Sequence, residues 1–184
     1  MTISRSVRFP GAVSDLRIVS VSDVDEAALE DWRLVHNLIV PPAAMSLDDV
    51  RARSARNRLE VAYLGDTLVG CSTVRPPAGG GDGDRAVATV IARVLPGFRR
   101  RGFGAEIYAR GLGLARELGA DRIETVVLAA NHDGLAFALQ HGFVEVERYV
   151  LDGESDLWVD LRLADTDAGT VAGSASRSGT GAGS

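Results

Sequence analysis

The sequence predicts an α/β (α+β) domain in which a mixed sheet carries helices on both faces. Three observations predict it. Short runs rich in Val, Ile and Leu alternate with longer runs of helical period. Two of the short runs flank Gly65-Asp66, the two-residue turn of an antiparallel hairpin. Further on, a strand–helix–strand stretch around Phe103–Leu118 is long enough for the crossover that parallel strands require.

The elements follow in order. Residues 1–14 are weakly patterned and read as an arm. Leu16–Val21 is the first strand. Ser22 and Asp23 can cap a helix running to Ile39, whose apolar stripe is Leu29, Trp32, Val35 or His36, and Ile39; Pro41-Pro42 stops it. Ser46-Leu47-Asp48-Asp49 has the form of a capping box with Asp in place of Glu, and opens a second helix to Asn57. Leu59–Leu64 and Thr67–Val74 are the hairpin strands. The segment 76–85, rich in Pro and Gly, reads as a loop. A strand at 86–94 leads to the helix 103–118, with Phe103, Ile107, Leu114 and Leu118 inward and Gly119 as C-cap. Ile123–Leu128 is a strand, Asp133–Gln140 a short helix capped by Gly142, and Val144–Leu151 with Leu157–Leu163 a closing pair across Asp152-Gly153. The single folded domain is expected over 15–163. Residues 164–184, mostly Ala, Gly, Ser and Thr, read as a disordered tail.

Composition narrows the class. The chain has 184 residues, 46% apolar and 24% charged, with a net charge of −5. That balance fits one globular domain and gives no global attraction to nucleic acid. No run approaches the ~20 apolar residues of a membrane span, and the N-terminus lacks the apolar core of a secretory signal. The expected partners therefore include neither nucleic acid nor membrane, and the expected location is the cytoplasm. Cys71 is the only cysteine and lies in an apolar alternating run, where a buried inert thiol is expected. All 20 basic residues are Arg, so no lysine is available for Schiff-base chemistry. No His/Cys/Asp/Glu cluster has metal-ligand spacing, so no metal is expected.

The segment Val94-Leu95-Pro96-Gly97-Phe98-Arg99-Arg100-Arg101-Gly102-Phe103-Gly104-Ala105 carries the chemistry. It joins a strand to a helix. Glycine lets backbone approach a phosphate closely, the first turn of a helix offers unpaired N–H groups, and arginine adds donors and charge. A P-loop is excluded because there is no lysine. The dinucleotide fingerprint fails because Ile107 occupies the position of its third glycine.

Arg99-Arg100-Arg101-Gly102-Phe103-Gly104 resembles the Arg/Gln-x-x-Gly-x-Gly/Ala signature of the GNAT acyl-CoA N-acyltransferases. Val94-x-Pro96 precedes it as in that family, and Asn131 followed by a short helix and Gly142-Phe143 resembles the family's second motif. The resemblance implies a mixed, mostly antiparallel sheet of six to seven strands and transfer of an acetyl (acyl) group from acetyl-CoA to a primary amine of a small molecule or peptide. It implies that the backbone at Val94 pairs with pantetheine. The N–H groups of Arg99, Arg100, Arg101, Gly102, Phe103, Gly104 and Ala105 would cradle the pyrophosphate, and Asn131 would bond the pantetheine or place the acetyl end. Trp32–Pro42 and Cys71–Pro77 resemble parts of tandem two-domain members, which implies a homodimer.

The proton carriers are not named by the sequence. Where many members of that family have a Tyr, seven residues after the motif Asn, this chain has Ala138. His36, Glu60, Glu124 and His132 are the candidate bases, with packing, solvation and helix capping as their competing roles. His141 is expected to favour a helix C-terminus, and Tyr108 to pack. A second reading follows from Ala138: a catalytically silent acyl-CoA-binding module with a regulatory or sensing role.

Overall fold

The computed structural model describes residues 15–78 and 85–164. The expected arm 1–14, the centre of the 76–85 loop and the tail beyond Ala164 lie outside the described residues. The order is β1 (Leu16–Ser20), α1 (Glu26–Ile39), α2 (Leu47–Ser54), β2 (Arg58–Leu64), β3 (Thr67–Ala78), β4 (Val87–Val94), α3 (Phe103–Glu117), β5 (Arg122–Leu128), α4 (His132–Gln140), β6 (Phe143–Val150) and β7 (Leu157–Leu163), with short 3-10 turns at Pro41–Ala43 and Pro96–Phe98. The seven strands form one sheet in the order β1-β2-β3-β4-β5-β7-β6. Only β4 and β5 are parallel, as the crossover through α3 demands. No helix among the described residues is long and apolar enough to cross a membrane.

Helices cover both faces, each over its own core. On one face α1 and α2 bring Leu29, Trp32, Val35 and Val50 against Leu59, Val61 and Cys71. On the other, α3 and α4 bring Tyr108, Ala115 and Ala138 against Val74, Val90, Val159 and Leu161. Trp32 is fully buried, and its indole N–H donates to the Ser72 carbonyl at 3.0 Å, which satisfies its one polar group.

Local signals held where their chemistry is local. The Ser46–Asp49 capping box forms as expected, with both reciprocal bonds present. Gly65 takes φ +61°, the left-handed geometry that a tight hairpin needs. Several boundaries, and one buried face, differ from expectation. α1 starts at Glu26 because Asp25, not Ser22 or Asp23, accepts from the Ala28 N–H, after a turn in which Asp25 N–H bonds to Ser22. α2 ends at Ser54. β3 continues through Pro76-Pro77 to Ala78, because its register with β4 shifts between Arg75 and Ala78 and no ladder donor is required there. The buried face of α3 is Phe103, Ile107, Tyr108, Gly111 and Ala115, with Leu114 and Leu118 only partly covered. Gly111 sets that rotation: a Cβ there would lie 2.7 Å from Val90 Cγ1, so the helix approaches β4 through its bare backbone.

Candidate active site

The sheet opens where β4 meets β5. Their parallel ladder joins only Val87, Ala88 and Thr89 to Arg122, Ile123 and Glu124. Beyond that point β4 stays paired to β3 as far as Val94, and β5 stays paired to β7 as far as Leu128. Each strand keeps its outer partner and loses its inner one. The facing edges therefore present unpaired backbone N–H and C=O groups, which require polar partners of their own.

A cavity of about 670 Å³ fills this cleft and passes from one face of the sheet to the other. At one end it is lined by Arg100, Gly102, Gly104, Ala105 and Asn131. Here α3 begins, and it differs from the other helices in its cap. Asp25, Ser46 and Asn131 cap α1, α2 and α4 with side chains, whereas the N-cap of α3 is Gly102, at φ +85°. The first intrahelical bond of α3 is Glu106 N–H to Gly102, so the amides ahead of it have no intrahelical acceptor and carry the positive end of the helix dipole. Arg100, at φ +62°, is the one described non-glycine residue in left-handed geometry, and such strain concentrates at ligand-binding turns.

At the other end the lining includes His36 from α1, Arg53 from α2, Arg75 from β3, Arg93 from β4 and Tyr149 from β6. His36 is buried and stacked on Trp32 at 5.0 Å. One of its nitrogens, Nε2, lies 2.9 Å from the Ala43 carbonyl. A carbonyl only accepts, so Nε2 carries the proton, and Nδ1 is a bare acceptor with no partner. Burial, and after it the Arg93 charge, lower the His36 pKa to about 4, so the ring is neutral near pH 7.

A sequence model of the Acetyltransferase (GNAT) family matches residues 23–143. The chain belongs to that family. No curated protein sequence matches it. Among solved structures it is similar to an acetyltransferase from Bacillus subtilis in complex with CoA, at 19% identity and a TM-score of 0.61, covering 81% of this chain and 98% of that one. It is also similar to Arabidopsis thaliana NAA60 in complex with a bisubstrate analogue, at 14% identity and a TM-score of 0.64, covering 80% and 96%. A third is the ribosomal-protein-alanine N-acetyltransferase of Brucella melitensis, at 18% identity and a TM-score of 0.59, covering 79% and 98%. At these identities the likeness is one of fold.

The GNAT motif residues divide by position. Val94, Arg99, Arg100, Gly102, Gly104, Ala105 and Asn131 line the cavity, whereas Arg101 and Phe103 do not. The Arg101 guanidinium instead stacks over Phe98 and Phe103, at 5.7 and 5.0 Å, and Phe103 is buried. Arg99 spans the cleft mouth: its Nε donates to the Val94 carbonyl at 3.1 Å and its Nη1 pairs with Asp133 of α4 at 2.9 Å. Asn131 caps α4, its Oδ1 accepting from Gly134 N–H at 3.1 Å.

Of the candidate bases, only His36 reaches the cavity. Glu60 was expected to be a solvated charge if it was not the base; it is 2% exposed and gripped by Arg110 of α3 on the far side of the sheet. Glu124 pairs with Arg162, and His132 is exposed on the first turn of α4. Ala138 is buried in the α3–α4 core and aims nothing at the cavity. Tyr108 packs in an aromatic group with Phe137, His141 and Phe143 while also edging the cavity. Cys71 is fully buried, and burial pushes its thiol up to about 11, which leaves it inert. The sequence reading missed Arg53, Arg75 and Arg93. The one available signal was Arg93, a charge inside the apolar run of β4.

Proposed function

We propose that this acetyltransferase moves an acetyl (acyl) group directly from acetyl-CoA to a primary amine of a small molecule or peptide. The observation that carries the reading is the through-sheet cavity, with uncapped α3 amides at one end and the His36 side at the other. The amides from Gly102 to Ala105 and the Arg100 guanidinium suit a pyrophosphate. The free edge of β4 suits the amides of pantetheine, and the Val94 carbonyl, already bonded to Arg99, keeps a second lone pair. This route brings the thioester to the middle of the sheet, where an acceptor amine can meet it from the His36 side.

When bound, acetyl-CoA supplies an activated carbonyl carbon. The amine nitrogen attacks it, the C–N bond forms, the C–S bond breaks, and the proton of the amine passes to water. The protein needs a neutral amine and a stabilised thiolate. Among the described residues Asp133 is the only carboxylate in the lining and is held by Arg99, which leaves no free carboxylate there to serve as base. The positive field of Arg53, Arg75 and Arg93 disfavours an ammonium and favours a thiolate, and so assists both changes.

The test has two stages. Calorimetric titration with acetyl-CoA reads the donor site, and free CoA release across an amine panel reads transfer. Gly104→Glu places a carboxylate among the α3 amides and is expected to weaken acetyl-CoA binding at least about a hundredfold. Gly104→Ala is the steric control, since its Cβ would only press on Phe137 at 3.2 Å and Val94 at 3.6 Å. Unchanged affinity in Gly104→Glu would overturn the placement. Tight binding without turnover on any amine would point to the silent binding module instead.

A further inference from the structure

We propose that the acceptor is a small anionic amine, a molecule with a carboxylate close to its primary amine, and that Arg53, Arg75 and Arg93 hold the carboxylate. This deepens the acetyltransferase reading and rests on it.

Three arginines from three elements converge on the same half of the cavity. Their convergence on one half of a cavity, and not the lack of an ion pair by itself, sets them apart from the other arginines. Arg33, Arg51, Arg99, Arg110, Arg148 and Arg162 each have a carboxylate partner. With 25 acidic residues against 20 basic ones, acceptors are in surplus. Yet among the described residues no carboxylate forms an ion pair with Arg53, Arg75 or Arg93. Burial first, and after it the charges of Arg75 and Arg93, disfavour the charged form of Arg53; burial dominates at Arg93 too, with Arg75 a smaller contribution. Like charges gathered without a counter-ion cost stability, and a site that keeps them has a use for the field.

The neighbouring groups do not cancel it. Asp49 lies near Arg53 but its carboxylate accepts from the Ser46 amide and hydroxyl, at 3.0 and 2.6 Å. Asp160 accepts from the Tyr149 hydroxyl at 3.1 Å. His36 is neutral. Arg93 adds the sharpest observation. It stands opposite Cys71 on the α1 side of the sheet, and its Nη1 is buried with no hydrogen-bond partner. The thiol beside it is a weak acceptor, so this donor is unsatisfied inside the wall, while the rest of the partly buried Arg93 side chain lines the cavity. A carboxylate fits that donor set, because guanidinium N–H groups match its two oxygens. Anchoring the anion here also sets the adjacent ammonium in a field of like sign, which raises its neutral fraction beside His36, whose unpartnered Nδ1 is a weak proton acceptor because burial lowers its pKa to about 4. The donor phosphates need none of these side chains, since their site is the α3 end of the cavity.

The experiment compares α-amino acids with their own primary amides, plain alkylamines, polyamines and acidic peptides, reading CoA release. The expected result is a kcat/KM at least about tenfold higher for the free acid than for its amide. The amide has the less basic amine, so chemistry alone would favour it. Arg75→Gln, at an exposed position, and Arg53→Gln are expected to raise KM for the acid about tenfold and erase the preference, while the acetyl-CoA dissociation constant changes less than about twofold. Arg93→Gln is expected to do the same more strongly. Equal use of acid and amide, preference for polyamines, turnover of acidic peptides alone, or an unchanged acid-to-amide ratio in Arg53→Gln and Arg75→Gln would each overturn the proposal. Acetyl-CoA titration reads the acetyltransferase reading separately. If acetyl-CoA binds and no amine turns over, calorimetric titration of the same acids into the CoA complex decides: no heat overturns the anion site. If acetyl-CoA does not bind, the acids are titrated into the free protein with the same criterion.

Discussion

Removing the Arg110 side chain strands a carboxylate in the interior. Glu60 has a side-chain exposure of 3%, and Arg110 one of 29%. The guanidinium meets both carboxylate oxygens, Nε at 2.9 and 3.0 Å and Nη2 at 2.6 Å. The remaining neighbour, the Ser72 hydroxyl, stands off at 3.5 Å and cannot replace them. Breaking a buried pair by deleting one partner costs about 3–5 kcal/mol. The partial exposure of Arg110 places Arg110→Ala near the lower end, about 3 kcal/mol, or a fall of about 6–12 °C in Tm. Replacing both residues by Leu removes the stranded charge, and the double variant is expected within about 1 kcal/mol of the parent. Urea unfolding of the single and double variants measures this. CoA release, followed in parallel, asks whether Glu60 takes part in transfer. Glu60→Gln is expected to retain kcat within about threefold, because Glu60 lies on the α3 side and outside the cavity. A cost below about 1 kcal/mol for Arg110→Ala, or a hundredfold fall in kcat for a well-folded Glu60→Gln, would refute the reasoning.

Two further outcomes follow from the packing. His36 titrates at its ordinary 6.5 when unfolded and at about 4 when folded, so the unfolded chain binds the extra proton between those values. Its contribution is complete above pH 6.5 and is lost as pH falls toward 4, by about 3 kcal/mol in all, and urea unfolding across that window is expected to show a slope that His36→Gln lacks. Gly111→Ala drives a Cβ to 2.7 Å from Val90 and is expected to cost about 1–3 kcal/mol. Adding Val90→Ala frees the space, so the double variant should recover part of that loss; a double variant no better than the sum of the singles would show that the helix does not press there.

Much of the fold was legible because its signals are local. The Ser46–Asp49 box, the Gly65 turn and the glycines of the α3 entry each act through their own backbone. The errors fell where a local competitor won or a partner was distant. Asp25 took the cap from Ser22 and Asp23 through one extra turn. Pro76 and Pro77 stayed in a strand because a register shift excused them from the ladder. The place of β7 between β5 and β6 depends on which edges remained free after the cleft opened, which no segment states alone.

The sequence by itself determined the helix start at which the proposed donor site lies. Gly102, Gly104 and the strand–turn–helix around them specify a helix start with open amides, and that geometry depends on the identity of a few consecutive residues. The tertiary structure alone decided which charges are neutralised. Glu60 was a candidate base and is locked to Arg110 fifty residues away, whereas Arg53, Arg75 and Arg93, which the sequence did not single out, line the cavity. A charge is worth what surrounds it, and only the folded arrangement of strands and helices says what that is.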